Sequence, residues 1–271
     1  MIRVLVNMAA NLLSGFSVVL FQILAAALVV RSVSATEFAV WALAVSLAGF
    51  APAFTFNLNS AVARRALLES GKEFVDSALL VAARFVAYRY LLIAILCTIA
   101  GCLVLPKLYP EILDGRSTWN SVGIGAFFIG SCWLVAAQPE QGIWIALQKN
   151  IVIALSNICA RVVALAAVAT AIVVTNSVPA ALIFGGATLW LGFWLMRRNI
   201  EVYVPMTAAI PAERVESEKQ LLRSVASGFA IWSVTALLYQ ASLVPIVGLV
   251  DAASLTKVYY VVTLTALLVG G

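Results

Sequence analysis

The sequence contains no histidine, and only 11% of its 271 residues are charged. The missing imidazole removes the commonest general base and metal ligand. The scarcity of charge excludes more. A soluble domain carries about 25% charged and about 45–50% apolar residues, because a globule must cover most of its surface with polar groups. Here 63% of residues are hydrophobic and the mean hydropathy is +1.05, which excludes a soluble globular protein. Also missing are a C-x-x-C pair, an N-x-[ST] sequon and, at the mouths of the apolar runs, a glycine-rich phosphate loop, paired carboxylates or a nucleophile–base pair. The net charge is +5, but the basic residues are scattered between apolar runs with no patch of interleaved aromatics, so no nucleic-acid partner is expected. Cys97, Cys102, Cys132 and Cys159 all sit within apolar runs and read as small buried hydrophobes. No metal or cofactor is expected.

Long charge-free runs fill the chain. They are Val4–Val30, Phe38–Ala63, Tyr90–Pro106, Ser117–Pro139, Ile151–Met196 interrupted by Arg161, Ser224–Val250 and Val258–Gly271. A membrane-crossing helix needs about 20 such residues, and Pro179 divides the longest run in two. The pattern predicts an all-α polytopic helical bundle with seven full spans and an eighth that stops at Gly271. Continuous apolar runs lack the alternation of barrel strands. The first run is too long for the h-region of a signal peptide.

With the N-terminus inside, twelve loop Lys and Arg residues fall inside and four (Arg31, Lys107, Arg116, Lys257) outside, so the N-terminus is expected in the cytoplasm. Trp41, Trp119, Trp144, Trp190 and Trp194 lie near run ends, where an aromatic belt would place them. Three units are expected: a six-helix lobe (1–198), a charged amphipathic linker on the cytoplasmic membrane surface (199–222), and the first one to two helices of a second lobe (223–271). Ser14-Gly15-Phe16 recurs as Ser227-Gly228-Phe229, and Ser34-Ala35-Thr36-Glu37 as Ser254-Leu255-Thr256-Lys257, a pattern consistent with parallel repeats. On that reading the second lobe is truncated and lacks about four spans.

Asn11-Leu12-Leu13-Ser14-Gly15 in the first span, then Arg31, Thr36-Glu37-Phe38 and Val40-Trp41-Ala42-Leu43, resemble Wzx-type polysaccharide flippases. These belong to the multidrug/oligosaccharidyl-lipid/polysaccharide exporter superfamily. The chain departs from the family pattern at Ala39, Asn57 and Asn59. The resemblance implies a two-lobed transporter of about twelve helices in the bacterial inner membrane. It would flip an undecaprenyl-diphosphate-linked oligosaccharide from the cytoplasmic to the periplasmic leaflet, in O-antigen or other cell-surface polysaccharide biosynthesis. Its partners would be that lipid-linked oligosaccharide, membrane lipids, and a polysaccharide polymerase with other assembly proteins. The cavity of such proteins is cationic.

Charged side chains within a span cost about 2.5–3.5 kcal/mol and usually face a bundle interior. Arg161 lies about 16 Å up the fifth span, and Glu140 about 10 Å up the fourth, at 1.5 Å per residue. The tight turn Gln148-Lys149-Asn150 makes these spans antiparallel neighbours, so the two side chains are expected within reach. They read either as a structural ion pair, or as a phosphate-holding Arg161 tuned by Glu140. Arg89 lies near the inner end of the third span, where snorkelling is the alternative to substrate contact. Asn7, Asn11, Gln22, Asn57, Asn59, Gln138, Tyr239 and Gln240 are neutral polar groups within spans, read as interhelical contacts or ligand contacts. Of these, Asn11, Gln22, Asn57 and Gln138 join Arg161, Glu140 and Arg89 as candidate substrate-binding residues. Asn11 and Gln22 share a helix face, and Pro52 permits a bend in the second span.

Three other readings compete. A drug/cation antiporter of the same superfamily needs a deep carboxylate in the first span, and Val4–Val30 has none. A membrane polymerase or glycosyltransferase needs a large outer loop, and the longest, about Pro106–Trp119, is short. A non-functional fragment is the fourth reading.

Overall fold

The computed structural model describes residues 2–68, 76–113, 117–200, 203–204 and 210–228, and every regular element among them is helical. α1 (Ile2–Ser32) comes first. Ser34 then caps α2 (Ala35–Ala48). The Glu37 amide donates to the Ser34 hydroxyl at 3.3 Å, and the Ser34 amide donates to the Glu37 carboxylate at 3.1 Å. This reciprocal box satisfies two orphan donors of the helix start, so Glu37 has a local structural role.

The second span is in three pieces. Pro52 falls in the first turn of a 3-10 segment, Ala51–Thr55, the left-handed Phe56 and Asn57 follow at φ 46° and 52°, and α3 (Leu58–Leu68) resumes the crossing. The bend expected at Pro52 is present. Asn57 completes it, since asparagine tolerates the left-handed region and its Oδ1 accepts from the Ser60 hydroxyl at 2.7 Å. α4 (Ser77–Leu108) is capped by the Asp76 carboxylate, which accepts from the Ala78 amide at 2.9 Å. α5 (Pro110–Leu113) is a single turn. The fourth span is also segmented: α6 (Ser117–Ser131), α7 (Trp133–Ala136) and α8 (Gln138–Ala146). Left-handed Gln148 and Asn176 introduce α9 (Asn150–Thr175) and α10 (Val178–Ile200). α11 (Ala212–Gly228) follows.

With the pieces joined, six segments are long and apolar enough to cross a membrane: Leu5–Ser32, Ala35–Leu68, Ser77–Leu108, Thr118–Ala146, Asn150–Thr175 and Val178–Arg198. The described chain is an all-α polytopic bundle of a multi-pass membrane protein. The third span starts earlier than the charge-free run beginning at Tyr90, and it takes Arg84 and Arg89 into the helix. α11 crosses residue 223, where the second lobe was expected to begin. The spans expected further on, with Tyr239 and Gln240, lie outside the described residues.

α9 and α10 form an antiparallel hairpin, α1 runs parallel to α9, α2 packs on α6, and α3 packs on α8. α6 and α10 approach through glycine: Gly130 faces Gly186, and Gly123 faces Pro179. Small residues let membrane helices bring their backbones together. Leu12, Phe16, Leu20 and Leu24 stand exposed along α1, an apolar outer face that suits lipid. The interior holds Trp41, Leu43, Trp133 and Trp144.

Two of the tryptophans assigned to an aromatic belt are therefore core residues. Trp41 packs 5.8 Å from Phe127, and the Trp144 indole donates to the Met196 carbonyl at 3.3 Å. Trp119 and Trp194 are exposed. Cys132 is buried and Cys102 half-buried, but Cys97 and Cys159 are exposed, because a lipid-facing surface accepts a small apolar side chain as readily as a core does.

We call the end where α1 starts and α3 stops the basal end, and the opposite one apical. α11 docks at the basal end, against α4 and α3. Arg65 grips Glu218 with two nitrogens, Nε at 3.0 Å and Nη2 at 2.7 Å, the bidentate geometry an arginine fork favours. Arg214 pairs with Asp76. Leu222 is buried and Val215 packs against the core, so the face expected to share Val215, Lys219 and Leu222 meets protein.

Candidate functional site

The parallel pair α1 and α9 carries polar rungs that rise from the basal end. The Asn150 side-chain amide donates to Asn11 Oδ1 at 3.2 Å, and that of Asn157 donates to the Ser14 hydroxyl at 2.5 Å. One turn above Asn157 comes Arg161, and two turns above Ser14 comes Gln22. Both open onto a cavity of about 250 Å³ that Trp41, Pro52, Ser131 and Trp133 also line. The cavity lies where the second and fourth spans are broken, at the Pro52 turn and the α6–α7 junction.

Arg161 Nε and Trp41 Nε1 are both buried and have no hydrogen-bond partner. The Ser131 hydroxyl is already committed to the Phe127 carbonyl at 3.0 Å, and no carboxylate lines the cavity. The cavity thus lies beside a fixed positive charge and two buried N–H donors from side chains that cannot accept. A buried donor without a partner costs roughly 1–3 kcal/mol, and an anionic oxygen brought within reach of either would remove that cost with a charge-assisted hydrogen bond. The volume suits a small ionic group and is too small for a sugar chain. A larger cavity, about 310 Å³ between α4, α6 and the 3-10 segment, is lined by residues such as Phe50, Phe54, Cys102 and Phe128. It has no charged lining and nothing to orient an ion.

Glu140 does not meet Arg161. Its Oε1 accepts from Arg84 Nε at 2.8 Å, and the Glu140 side chain is fully buried. The α8–α9 hairpin exists as expected, and axial reach was the wrong criterion. Each residue turns a helix by about 100°, and Glu140 faces α4, not α9. Gln138 is buried nearby. Its Oε1 accepts from the Asn59 amide at 3.0 Å, and its Nε2 donates to the Leu134 carbonyl at 3.1 Å, which ties the start of α3 to α8. Arg89 is exposed at the basal exterior, its guanidinium 4.4 Å from the centroid of the Phe85 ring.

The seven candidate residues therefore separate. Arg161 and Gln22 share the cavity, and Asn11 lies lower on the same seam. Glu140, Gln138 and Asn57 belong to the joint of α3, α4 and α8. Arg89 stands apart. Two residues were missed, Trp41 and Arg84. The run Leu79-Leu80-Val81-Ala82-Ala83 before Arg84 and Phe85-Val86-Ala87 after it already marks a cation inside an apolar helix. Trp41 sits a full turn inside α2, past the capping box, too deep for a rim residue.

No protein-family model matches the chain, and neither a curated protein sequence nor a solved structure matches it.

Proposed function

We propose that this protein is a membrane transporter that flips an undecaprenyl-diphosphate-linked oligosaccharide from the cytoplasmic to the periplasmic leaflet, with Arg161 holding the diphosphate. The observation that carries the reading is the cavity with unpartnered Arg161 Nε and Trp41 Nε1 beside it. A cation at a helix centre costs about 2.5–3.5 kcal/mol on insertion scales. Here no carboxylate among the described residues offsets that cost, and an anionic ligand does. The resemblance of the first two spans to Wzx-type flippases and the excess of Lys and Arg toward the basal end, which remains when Arg84 and Arg89 are counted with α4, add the direction: basal end and α11 in the cytoplasm. The reading brings a polysaccharide polymerase and other assembly proteins as partners, and no chemical step.

The antiporter reading is weaker. It wants a carboxylate free to exchange ions, whereas the one buried carboxylate in the described spans, Glu140, is held by Arg84.

The test is export in a flippase-deficient strain, with protein abundance measured alongside. Arg161→Ala should abolish export at near-normal abundance. Arg161→Lys should restore it only in part, since a point charge loses the planar fork. Trp41→Phe keeps the ring and removes the donor, and should weaken export without lowering abundance. Wild-type export by Arg161→Ala would refute the proposal.

A further inference from the structure

Outside the cavity, the basal surface gathers cations whose charge is not cancelled. Arg89 of α4 and Lys219 of α11 both lie against the Phe85 ring, 4.4 Å and 4.1 Å from its centroid. The two positive groups therefore share one aromatic ring across the α4–α11 contact. Arg223 lies one turn along α11 from Lys219 and so on the same face of that helix. One carboxylate, Glu216, lies in the field of all three, and it is hydrogen-bonded to Lys219 at 3.0 Å. Neither Arg89 nor Arg223 has an ion-pair partner among the described residues. Phe85 and Tyr88 are exposed beside Arg89.

Like charges brought together by two docked helices oppose that docking, and an anion between them reverses the sign. The patch lies within α4 where its charge-free run begins at Tyr90, with the exposed Phe85 and Tyr88 next to Arg89. That combination matches a phospholipid, which supplies phosphate and acyl chain together, better than a soluble anion. Basic clusters just outside a span bind acidic lipids in this way. We propose that the phosphate of an anionic phospholipid in the leaflet at the basal end binds between Arg89 and Arg223, and so fastens α11 to α4. The site is separate from the Arg161 cavity, and the proposal stands whichever solute that cavity takes.

The experiment uses the full chain in lipid nanodiscs. Native mass spectrometry reads retained phosphatidylglycerol against phosphatidylcholine, and hydrogen exchange reads α11. Wild type should retain phosphatidylglycerol selectively, with α11 better protected than in phosphatidylcholine alone. Each cation near a surface contributes about 1 kcal/mol to acidic-lipid binding, so Arg89→Gln with Arg223→Gln should cut retention roughly fivefold per charge removed. The double Lys variant should keep most of it, and Arg31→Gln, at the apical end, should change nothing. Three results would overturn the site: equal retention of the two lipids by wild type, undiminished retention in the double Gln variant, or inorganic phosphate protecting α11 as well as phosphatidylglycerol does. The wild-type comparison needs no variant to fold. Equal retention of the two lipids by a wild type that exports, with export lost in Arg161→Ala, would sink this site alone, and selective retention with wild-type export by Arg161→Ala would sink the transport proposal alone.

Discussion

Arg84 touches Glu140 through one pair of atoms, Nε to Oε1 at 2.8 Å, while Arg84 Nη2 and Glu140 Oε2 stay buried without partners. A half-satisfied buried ion pair stabilises little, because desolvation of both groups offsets their attraction. Breaking it is another matter.

Removing either partner leaves an uncompensated buried charge, a loss of roughly 3–5 kcal/mol. Arg84→Ala and Glu140→Ala should each reduce folded protein, measured as monodisperse yield and apparent Tm in detergent. Replacing both together, Arg84→Met with Glu140→Leu, should be milder than either single change. A double variant as damaged as the singles would show that the charges themselves are needed.

This pair also shows what sequence could and could not convey. The six described spans and the bend at Pro52 are legible, because length, apolarity and proline chemistry are local properties. Partner choice is not. Arg161 and Glu140 stand at compatible heights on adjacent helices, yet rotation about each axis decides which helix a side chain faces, and that depends on how all the spans pack. Trp41 was misread for a related reason: nearness to a run end gives depth, while burial against Phe127 is a tertiary fact. Arg161 was legible as a rare mid-span cation. The second donor in its cavity was not.

The α6–α10 seam tolerates no side chain at Gly186. A β-carbon on Gly186 would lie 2.9 Å from the Ala126 carbonyl oxygen and 3.0 Å from the Phe127 Cα, backbone atoms that cannot rotate aside. Gly186→Ala should cost about 1–3 kcal/mol, as overpacking does, and lower the apparent Tm. Gly15→Ala, on α1 with nothing within 4 Å, should leave the Tm unchanged or raise it.

Glu216 ties the docking of α11 to acidic pH. The hydrogen bond from Lys219 holds its carboxyl below the usual value of 4.5, and the positive charges of Lys219, Arg223 and Arg89 add to this. A depressed carboxyl contributes stability above its unfolded value and loses it as pH falls through the folded one. The difference in α11 hydrogen-exchange protection between wild type and Glu216→Gln should therefore be steady from neutral pH to about 5 and vanish well below 4.5. A difference that grows on acidification would reverse the assignment.

Orientation is open to labelling in a cysteine-free background. Ser217 and Lys107 are exposed at opposite ends of the bundle. With the basal end in the cytoplasm, a membrane-impermeant maleimide applied from outside should label Lys107→Cys and spare Ser217→Cys. The opposite pattern would invert the protein in the membrane.

The breaks in the second and fourth spans have a mechanical meaning. The 3-10 segment after α2 rests on α7, so two neighbouring crossings are cut at one height. α2 and α6 lie above that plane and α3 and α8 below it, while α1, α4, α9 and α10 pass through it unbroken. Arg161, Pro52 and Ser131 line the cavity at that plane. A ligand held there would touch pieces on both sides of each break, α2 with the Pro52 turn and α6 with α7, and so would fix the angle between them.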